Sequence, residues 1–174
     1  MEEFLNPEQV LKQLDLKEEM TAADFGSGSG GWAIPLAKIL KDGKVFAIDI
    51  LEEPLSALKG KAEISNVSNI ETIRSDIEKN NGSKLEDDSV ELVLMTSLLF
   101  QAEKKEQALK EAKRVLKKGG KVLVAEWKPD ATLGPKEGKI LPEEVKKIAK
   151  KIGFVSEKEI KAGAYHYGLI FVKP

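Results

Sequence analysis

Apolar and polar positions alternate along the chain in two recurring patterns. Short runs that are almost wholly apolar, such as residues 90–95 and 121–127, are typical of strands buried in a parallel sheet. Longer segments, such as residues 104–116, carry apolar side chains at helical spacing. Glycine or proline lies near most of the boundaries between these segments. The pattern therefore predicts an α/β protein.

The predicted elements alternate in chain order. Helices are expected at residues 7–14, 32–40, 52–64, 104–116 and 142–152, and strands at residues 20–25, 44–50, 69–75, 90–95, 121–127, 154–160 and 166–172. Asn6 and Pro7 suit the start of the first helix, and Gly119 and Gly120 are expected to end the fourth. Five βα units followed by two strands predict one open sheet. Because residues 161–165 are too few for a parallel crossover, the last two strands should be antiparallel.

The most specific local signal is the run D-F-G-S-G-S-G-G at residues 24–31. It joins the first predicted strand to the following helix. Four glycines in six residues allow a tight turn and a close approach of the backbone to a ligand. The N–H groups and the positive dipole end of the helix point back at this turn. The segment therefore predicts a nucleotide-like cofactor site at the edge of the sheet.

Composition narrows the possible chemistry. A chain of 174 residues fits one domain, which we expect to cover residues 1–174. The absence of cysteine excludes a disulfide framework and a thiolate metal site, and a single histidine excludes a multi-histidine metal site. We therefore expect no metal. No apolar run approaches 18 residues and residues 1–3 are acidic, so we expect no membrane span or secretory signal, and a cytoplasmic protein.

Charge is distributed unevenly along the chain. Residues 1–103 hold 10 basic and 20 acidic side chains, whereas residues 104–174 hold 18 basic and 9 acidic ones. Such asymmetry can mark an anionic partner such as RNA. The alternative is that the lysines cover solvated helix faces, which is favoured by the glutamates interleaved among them. Nucleic acid is therefore not the expected partner.

Several motifs, taken in order, resemble the class I S-adenosylmethionine-dependent methyltransferases over nearly the whole chain. They are the D-x-G-x-G-x-G pattern at residues 24–30, Asp49 at the end of the second strand, Ser75-Asp76-Ile77 after the third, the run at residues 114–124 and the closing hairpin. The second half is most similar to the small-molecule and quinone-type branch. The resemblance implies helices on both faces of a sheet with strand order 3-2-1-4-5-7-6, strand 7 being antiparallel. It also implies an S-adenosyl-L-methionine site at the ends of the first three strands.

The resemblance implies a role for each matching residue. Asp24 would hold the ammonium group of the cofactor, Asp49 the ribose hydroxyls and Asp76 the adenine amino group. Ile50 and Ile77 would pack on the two faces of adenine. The expected cofactor residues are thus Asp24, Gly26, Gly28, Gly30, Asp49, Ile50, Asp76, Ile77 and Thr96.

A nicotinamide-binding domain is the main alternative for the glycine turn, since residues 26–31 also fit G-x-G-x-x-G. Asp24, Asp76 and the closing hairpin favour a methyltransferase instead. A P-loop is excluded because no Gly-Lys-Ser or Gly-Lys-Thr follows the glycines.

The methyl acceptor is less well defined. Residues 95–100 lack the Asp/Asn-Pro-Pro-aromatic motif of enzymes that methylate base amines, and residues 98–101 depart from the Leu-His-His of the quinone-type branch. We expect a small-molecule acceptor, with residues 128–141 as a lid. The expected pocket residues are Leu99, Phe100, Trp127, Tyr165 and His166. If a general base is needed, Glu126 and His166 are the candidates. An RNA or protein methyltransferase and a non-catalytic cofactor-binding module remain as alternatives.

Overall fold

The computed structural model describes residues 4–174 and contains five helices and seven strands in that range. The helices are α1 (Pro7–Leu11), α2 (Ala33–Ile39), α3 (Glu52–Ile64), α4 (Lys105–Val115) and α5 (Pro142–Lys151). The strands are β1 (Thr21–Phe25), β2 (Lys44–Asp49), β3 (Ile70–Arg74), β4 (Val90–Thr96), β5 (Leu116–Trp127), β6 (Val155–Lys161) and β7 (His166–Val172). Residues 1–3, whose acidity bears on the expected location, lie outside the described residues.

The seven strands form one sheet in the order β3-β2-β1-β4-β5-β7-β6. Strands β1 to β5 are all parallel to one another, and β7 is antiparallel to both of its neighbours, β5 and β6. The strand order and the reversed direction of β7 are as expected from the sequence, so this prediction is confirmed.

The buried side chains form one core on each face of the sheet. In β5, Val122 and Val124 belong to the cluster that includes residues of α4 and α5, whereas Leu123 belongs to the cluster that includes residues of α1, α2 and α3. Successive side chains of a strand point to opposite faces, so a nearly continuous apolar strand supplies both cores. Helices on both faces are therefore confirmed.

The connection from β3 to β4 agrees with the list of expected helices, which has none there, but not with the expected count of five βα units. Residues 75–89 form turns and contain no helix, so the expectation of five βα units is wrong for β3. Asn81, Lys84 and Asp88 have positive φ angles, which are incompatible with a helix. Ser83 is fully buried, and its N–H and Oγ–H groups donate to Oε1 of Glu111 in α4 at 2.9 and 2.5 Å. The buried carboxylate of Glu111 therefore provides a hydrogen-bond acceptor for a backbone N–H group of this irregular segment.

The end of α4 also differs from the prediction. The helix stops at Val115, before Gly119 and Gly120, and β5 begins at once with Leu116, which has an extended backbone. The two glycines lie at an irregularity of β5, where Gly119 N–H donates to Lys173 O and Lys173 N–H donates to Gly120 O. The prediction that the glycines end the helix is therefore wrong, because they pair with the chain beyond β7 instead.

One edge of the sheet collects the carboxyl ends of β1 to β5 and the start of β7. The antiparallel direction of β7 brings His166 opposite Trp127 at the end of β5. Helix α1 is tied to the same side: the amide of Gln13 donates to Lys161 O at 2.8 Å and accepts from Lys161 N–H at 3.0 Å. This edge is where ligands bind in open α/β sheets.

Candidate functional site

The ends of β1, β2 and β3 and the segment after β4 enclose a cavity of about 290 Å³. Five of the residues predicted for the cofactor line it: Gly26, Asp49, Ile50, Asp76 and Ile77. These residues come from three separate strand ends, and the parallel sheet brings them together. The cavity is therefore the candidate cofactor site.

The glycine turn forms one side of this site. Gly26 has a φ angle of +72°, and a Cβ atom there would lie 2.8 Å from Cδ1 of Leu98. Gly28 has a φ angle of +52°, and a Cβ atom there would meet nothing within 4 Å. Gly26 thus permits a close contact with the segment after β4, and Gly28 leaves open space in front of the turn.

Asp24 is almost completely buried near the end of β1, with 1% of its surface exposed. Its neighbours across the sheet are Ala47 and Leu94, and neither of its carboxylate oxygens has a hydrogen-bond partner among the described residues. Burial, and then the charge of Asp49, raise the pKa of Asp24 from 3.8 to about 8. A buried carboxylate without a partner is costly, so this position suits a ligand that brings a positive charge or a donor.

Asp49 links the glycine turn to the end of β2. Its Oδ2 atom accepts from Gly28 N–H at 2.9 Å, and its Oδ1 atom accepts from Leu51 N–H at 3.0 Å. Each carboxylate oxygen can accept more than one hydrogen bond, and the half-buried side chain borders the cavity. Asp49 can therefore fix the turn and still accept from the hydroxyl groups of a ligand.

The end of β3 forms the opposite wall. Asp76 accepts from Glu78 N–H through Oδ1 at 3.0 Å, and its Oδ2 atom lies 3.7 Å from Nζ of Lys79. Ile50 is 56% exposed, whereas Ile77 is buried. Exposure of a large apolar side chain at a cavity mouth favours a flat apolar ligand there.

The segment after β4 contributes residues that sequence reasoning missed. Leu98, Gln101 and Ala102 line the cavity, whereas Thr96 is buried beside Ala125 of β5 and Leu99 is buried in the core. The reason is a turn at residue 97, which has a φ angle of +48° and changes the direction in which the following side chains point. A serine in this position gives no sequence signal for such a turn.

A second cavity, of about 570 Å³, lies between α1 and the turn from β6 to β7. His166 and Lys128 line it from the sheet, and Asn6, Gln9 and Gln13 line it from α1 and its flanks. The imidazole of His166 is 3% exposed, and its Nδ1 atom has no partner among the described residues. Burial, and then the charge of Lys128, lower the pKa of His166 to about 4, so the ring is neutral at pH 7.

The other predicted pocket residues, Leu99, Phe100, Trp127 and Tyr165, do not line this second cavity. The rings of Trp127 and His166 are 4.0 Å apart between centroids, and the ring of Tyr165 lies 5.5 Å from that of Phe4. Trp127 packs under Gly134 of the loop at residues 128–141, and a Cβ atom on Gly134 would lie 2.4 Å from the indole. Phe100 meets the same loop, because its carbonyl oxygen would lie 2.8 Å from a Cβ atom on Gly138.

Glu126 is fully buried at the end of β5. One carboxylate oxygen, Oε1, accepts from the backbone N–H groups of Leu98 and Leu99. The other, Oε2, has no partner in residues 4–174. Burial raises the pKa of Glu126 to about 7, and the backbone donors oppose this rise.

Within residues 4–174, no group of three His, Cys, Asp or Glu side chains is arranged to hold a metal ion. No helix in the range is both long and apolar enough to cross a bilayer.

Comparison with known proteins was made by family model, by sequence and by structure. A family model described as a methyltransferase domain matches residues 16–167. The chain belongs to this family. It is 31% identical over 136 residues to a demethylmenaquinone methyltransferase of Bacillus mycoides, covering 76% of this chain and 55% of that protein. The same shares apply to a demethylmenaquinone methyltransferase of Bacillus cereus, with 30% identity. The chain thus spans about half the length of the curated relatives it matches.

A solved structure extends the comparison over nearly the whole chain. The crystal structure of a SAM-dependent methyltransferase from Aquifex aeolicus superposes with a TM-score of 0.89 and 29% identity, covering 98% of this chain and 91% of that one. The resemblance to class I methyltransferases is thereby confirmed, and the similarity to demethylmenaquinone methyltransferases agrees with the resemblance to the quinone-type branch. In this methyltransferase domain, Gly26, Asp49 and Asp76 of the motifs line the cavity of about 290 Å³, whereas Asp24, Gly28 and Gly30 do not.

Replacing Asp24 by Asn should remove a pH-dependent cost of folding. The pKa of Asp24 is about 8 in the folded protein and has an ordinary value of 3.8. Between pH 4 and pH 8 the folded state therefore keeps a proton on Asp24 that the unfolded state loses. The free energy of unfolding should therefore fall as pH rises from 4 to 8, by up to about 1.4 kcal/mol per pH unit from this group. Urea titrations at pH 5 and pH 8 should show Asp24→Asn gaining stability relative to the wild type as pH rises. Asp15→Asn, at an exposed position, should follow the wild type; a constant difference between Asp24→Asn and wild type would contradict the assignment.

Proposed function

We propose that this chain is an S-adenosylmethionine-dependent methyltransferase that acts on a small-molecule acceptor. The observation that carries the proposal is the buried, unpartnered carboxylate of Asp24 beside the glycine turn of a methyltransferase domain. A cationic ligand group would remove the cost of that burial. The names of the curated relatives support a small organic acceptor, since those proteins are demethylmenaquinone methyltransferases.

The electrostatics of the cavity suit this cofactor. S-adenosylmethionine supplies a methyl group on a positively charged sulfur, and it also carries an ammonium group. Burial and the charge of Asp49 raise the pKa of Asp24 to about 8, so a ligand cation beside Asp24 would stabilise its ionised form and offset both effects. Asp24 would hold the ammonium group, Asp49 the ribose hydroxyls, and Asp76 with Ile50 and Ile77 the adenine. Gly28 would leave room for the backbone to approach the cofactor, whereas Cβ atoms at Gly26 and Gly30 would meet the side chains of Leu98 and Leu58.

The second cavity is the proposed acceptor site. It is lined by polar groups of α1 and its flanks and by His166, whose Nδ1 atom is buried and has no hydrogen-bond partner among the described residues. Trp127 stacks on the same imidazole and would help to enclose an organic ligand. A concave site of this size favours a small molecule over a polymer. The loop at residues 128–141 would exclude water.

His166 is better placed than Glu126 to interact with an acceptor. Glu126 is fully buried and its Oε1 atom is engaged by two backbone amides, whereas His166 lines a cavity. With a pKa of about 4, His166 is neutral at pH 7 and a weak base. We therefore propose that positioning of a nucleophilic acceptor contributes more than proton removal. His166 would orient the acceptor by a hydrogen bond.

The basic second half does not favour RNA. Lys146 pairs with Glu143 and Glu159, and Lys151 pairs with Glu106. A phosphate track needs lysines that are free to neutralise phosphates, whereas these are already paired on an exposed surface. This arrangement supports the interpretation of solvated helix faces.

Replacing Asp49 by Ala should weaken cofactor binding. The change removes the acceptor for the ribose hydroxyls and also the partner of two backbone amides. Such losses cost about 1.5–3 kcal/mol, so affinity for S-adenosylhomocysteine should fall by roughly ten- to a hundred-fold. Calorimetry on the folded variant measures this, with Asp15→Ala, at an exposed acid, as the control that should bind normally. The wild type should not bind NAD; NAD binding as tight as that of S-adenosylhomocysteine would contradict the proposal.

A transfer assay separates the three functional alternatives. Wild-type protein with S-adenosylmethionine should methylate at least one member of a panel of small phenols, quinols, amines and thiols. His166→Asn should reduce that turnover by about ten-fold or more through loss of orientation, while its affinity for S-adenosylhomocysteine stays unchanged. Tight, salt-sensitive RNA binding without small-molecule turnover would favour an RNA enzyme. Cofactor binding without turnover on any substrate class would favour a non-catalytic module.

A further inference from the structure

Glu126 has an unusual environment for an acidic side chain. It shares a face of β5 with Val122 and Val124, whose neighbours are the apolar side chains packed against α4 and α5. None of its surface is exposed, and the structure gives it no hydrogen bond to a basic side chain. Retaining a carboxylate in such a place is costly unless it satisfies other buried polar groups.

The groups it satisfies belong to the segment after β4. Oε1 of Glu126 accepts from Leu98 N–H at 2.8 Å and from Leu99 N–H at 2.5 Å. These amides follow the left-handed residue Ser97, whose own N–H donates to Ala125 O. Because the chain has just left the sheet, the amides of residues 98 and 99 have no strand partner. A carboxylate is a strong acceptor for consecutive N–H groups of this kind.

This segment forms part of the cofactor cavity. Leu98 and Gln101 line the cavity, and the Leu98 side chain lies against Gly26 of the glycine turn. The turn is closed by Gln101 N–H donating to Leu98 O. A shift of the backbone at residues 98 and 99 would therefore move the wall that faces the turn.

We infer that Glu126 is a positioning residue, whose carboxylate fixes the backbone at residues 98 and 99 so that Leu98 forms the cavity wall against Gly26. Its action on the ligand passes through Leu98. The identity of the ligand rests on the proposed function, but the action on the backbone does not. This role replaces that of a general base, because the buried carboxylate does not line either cavity.

Three substitutions separate the possible roles. Glu126→Ala removes the acceptor, Glu126→Asp withdraws the carboxylate by one methylene, and Glu126→Gln keeps an acceptor oxygen at the same distance. Glu137→Ala, at an exposed loop position, is the control. The measurements are amide hydrogen exchange at residues 98 and 99 without ligand, and the affinity for S-adenosylhomocysteine by calorimetry.

Glu126→Ala and Glu126→Asp should each lose protection at amides 98 and 99, and their affinity for S-adenosylhomocysteine should fall by about ten-fold or more. Glu126→Gln should keep both properties close to those of the wild type. If Glu126→Ala does not fold, the comparison of Glu126→Asp with Glu126→Gln and the wild type tests the inference. The double variant Glu126→Ala, Leu98→Ala should bind about as weakly as Glu126→Ala alone, because both changes act on the same wall.

The inference is overturned if Glu126→Asp keeps wild-type protection at both amides and wild-type affinity. It is also overturned if Glu126→Gln keeps both but loses methyl transfer, since that result would assign a proton-transfer role. Failure of the proposed function can be told apart from failure of this inference. If the proposed function is wrong, the wild-type protein does not bind S-adenosylhomocysteine. Amide exchange at residues 98 and 99 would still show whether Glu126 holds the backbone.

Discussion

The buried carboxylate of Asp24 is the constraint on which the rest of the site depends. Strand β1 is paired on both sides, with Ala47 and Leu94 opposite Asp24, and the side chain is 1% exposed and has no hydrogen-bond partner among the described residues. Burial raises its pKa to about 8. A cationic ligand would stabilise the ionised form of Asp24 directly, and the negative charge of Asp49 at the same edge would add to that attraction. The glycine turn and the strand ends then surround the place where that cation would lie.

Much of this arrangement could be predicted from the sequence, because it depends on local patterns. Apolar runs indicated the strands, and the short turn at residues 161–165 required the antiparallel direction of β7. The connection from β3 to β4 could not be predicted in the same way, since it depends on a long-range bond between Ser83 and Glu111. Gly119 and Gly120 were misjudged for a similar reason, because their partner is Lys173, more than fifty residues away.

The residues of the candidate site also differ in how far their positions could be predicted from the sequence. Gly26, Asp49, Ile50, Asp76 and Ile77 follow strand ends, so their meeting at one cavity followed from the parallel sheet. Leu98 and Leu99 are adjacent, yet one lines the cavity and the other is in the core, because Ser97 has a left-handed backbone conformation. Sequence patterns carry no signal for such a turn. The carboxylate of Glu126, from the neighbouring strand, holds that conformation and makes it part of the site.

The measurement that tests this account most directly is the number of protons released when S-adenosylhomocysteine binds. Calorimetric titrations at pH 7 in buffers of different ionisation enthalpy give this number. Because Asp24 is mostly protonated in the free protein at that pH, its pKa being about 8, a bound ammonium group should drive out close to one proton. The Asp24→Asn variant should not release this proton, and it should bind S-adenosylhomocysteine more weakly than the wild type. Wild-type binding with no proton release, or equal release by Asp24→Asn, would contradict the central role of Asp24.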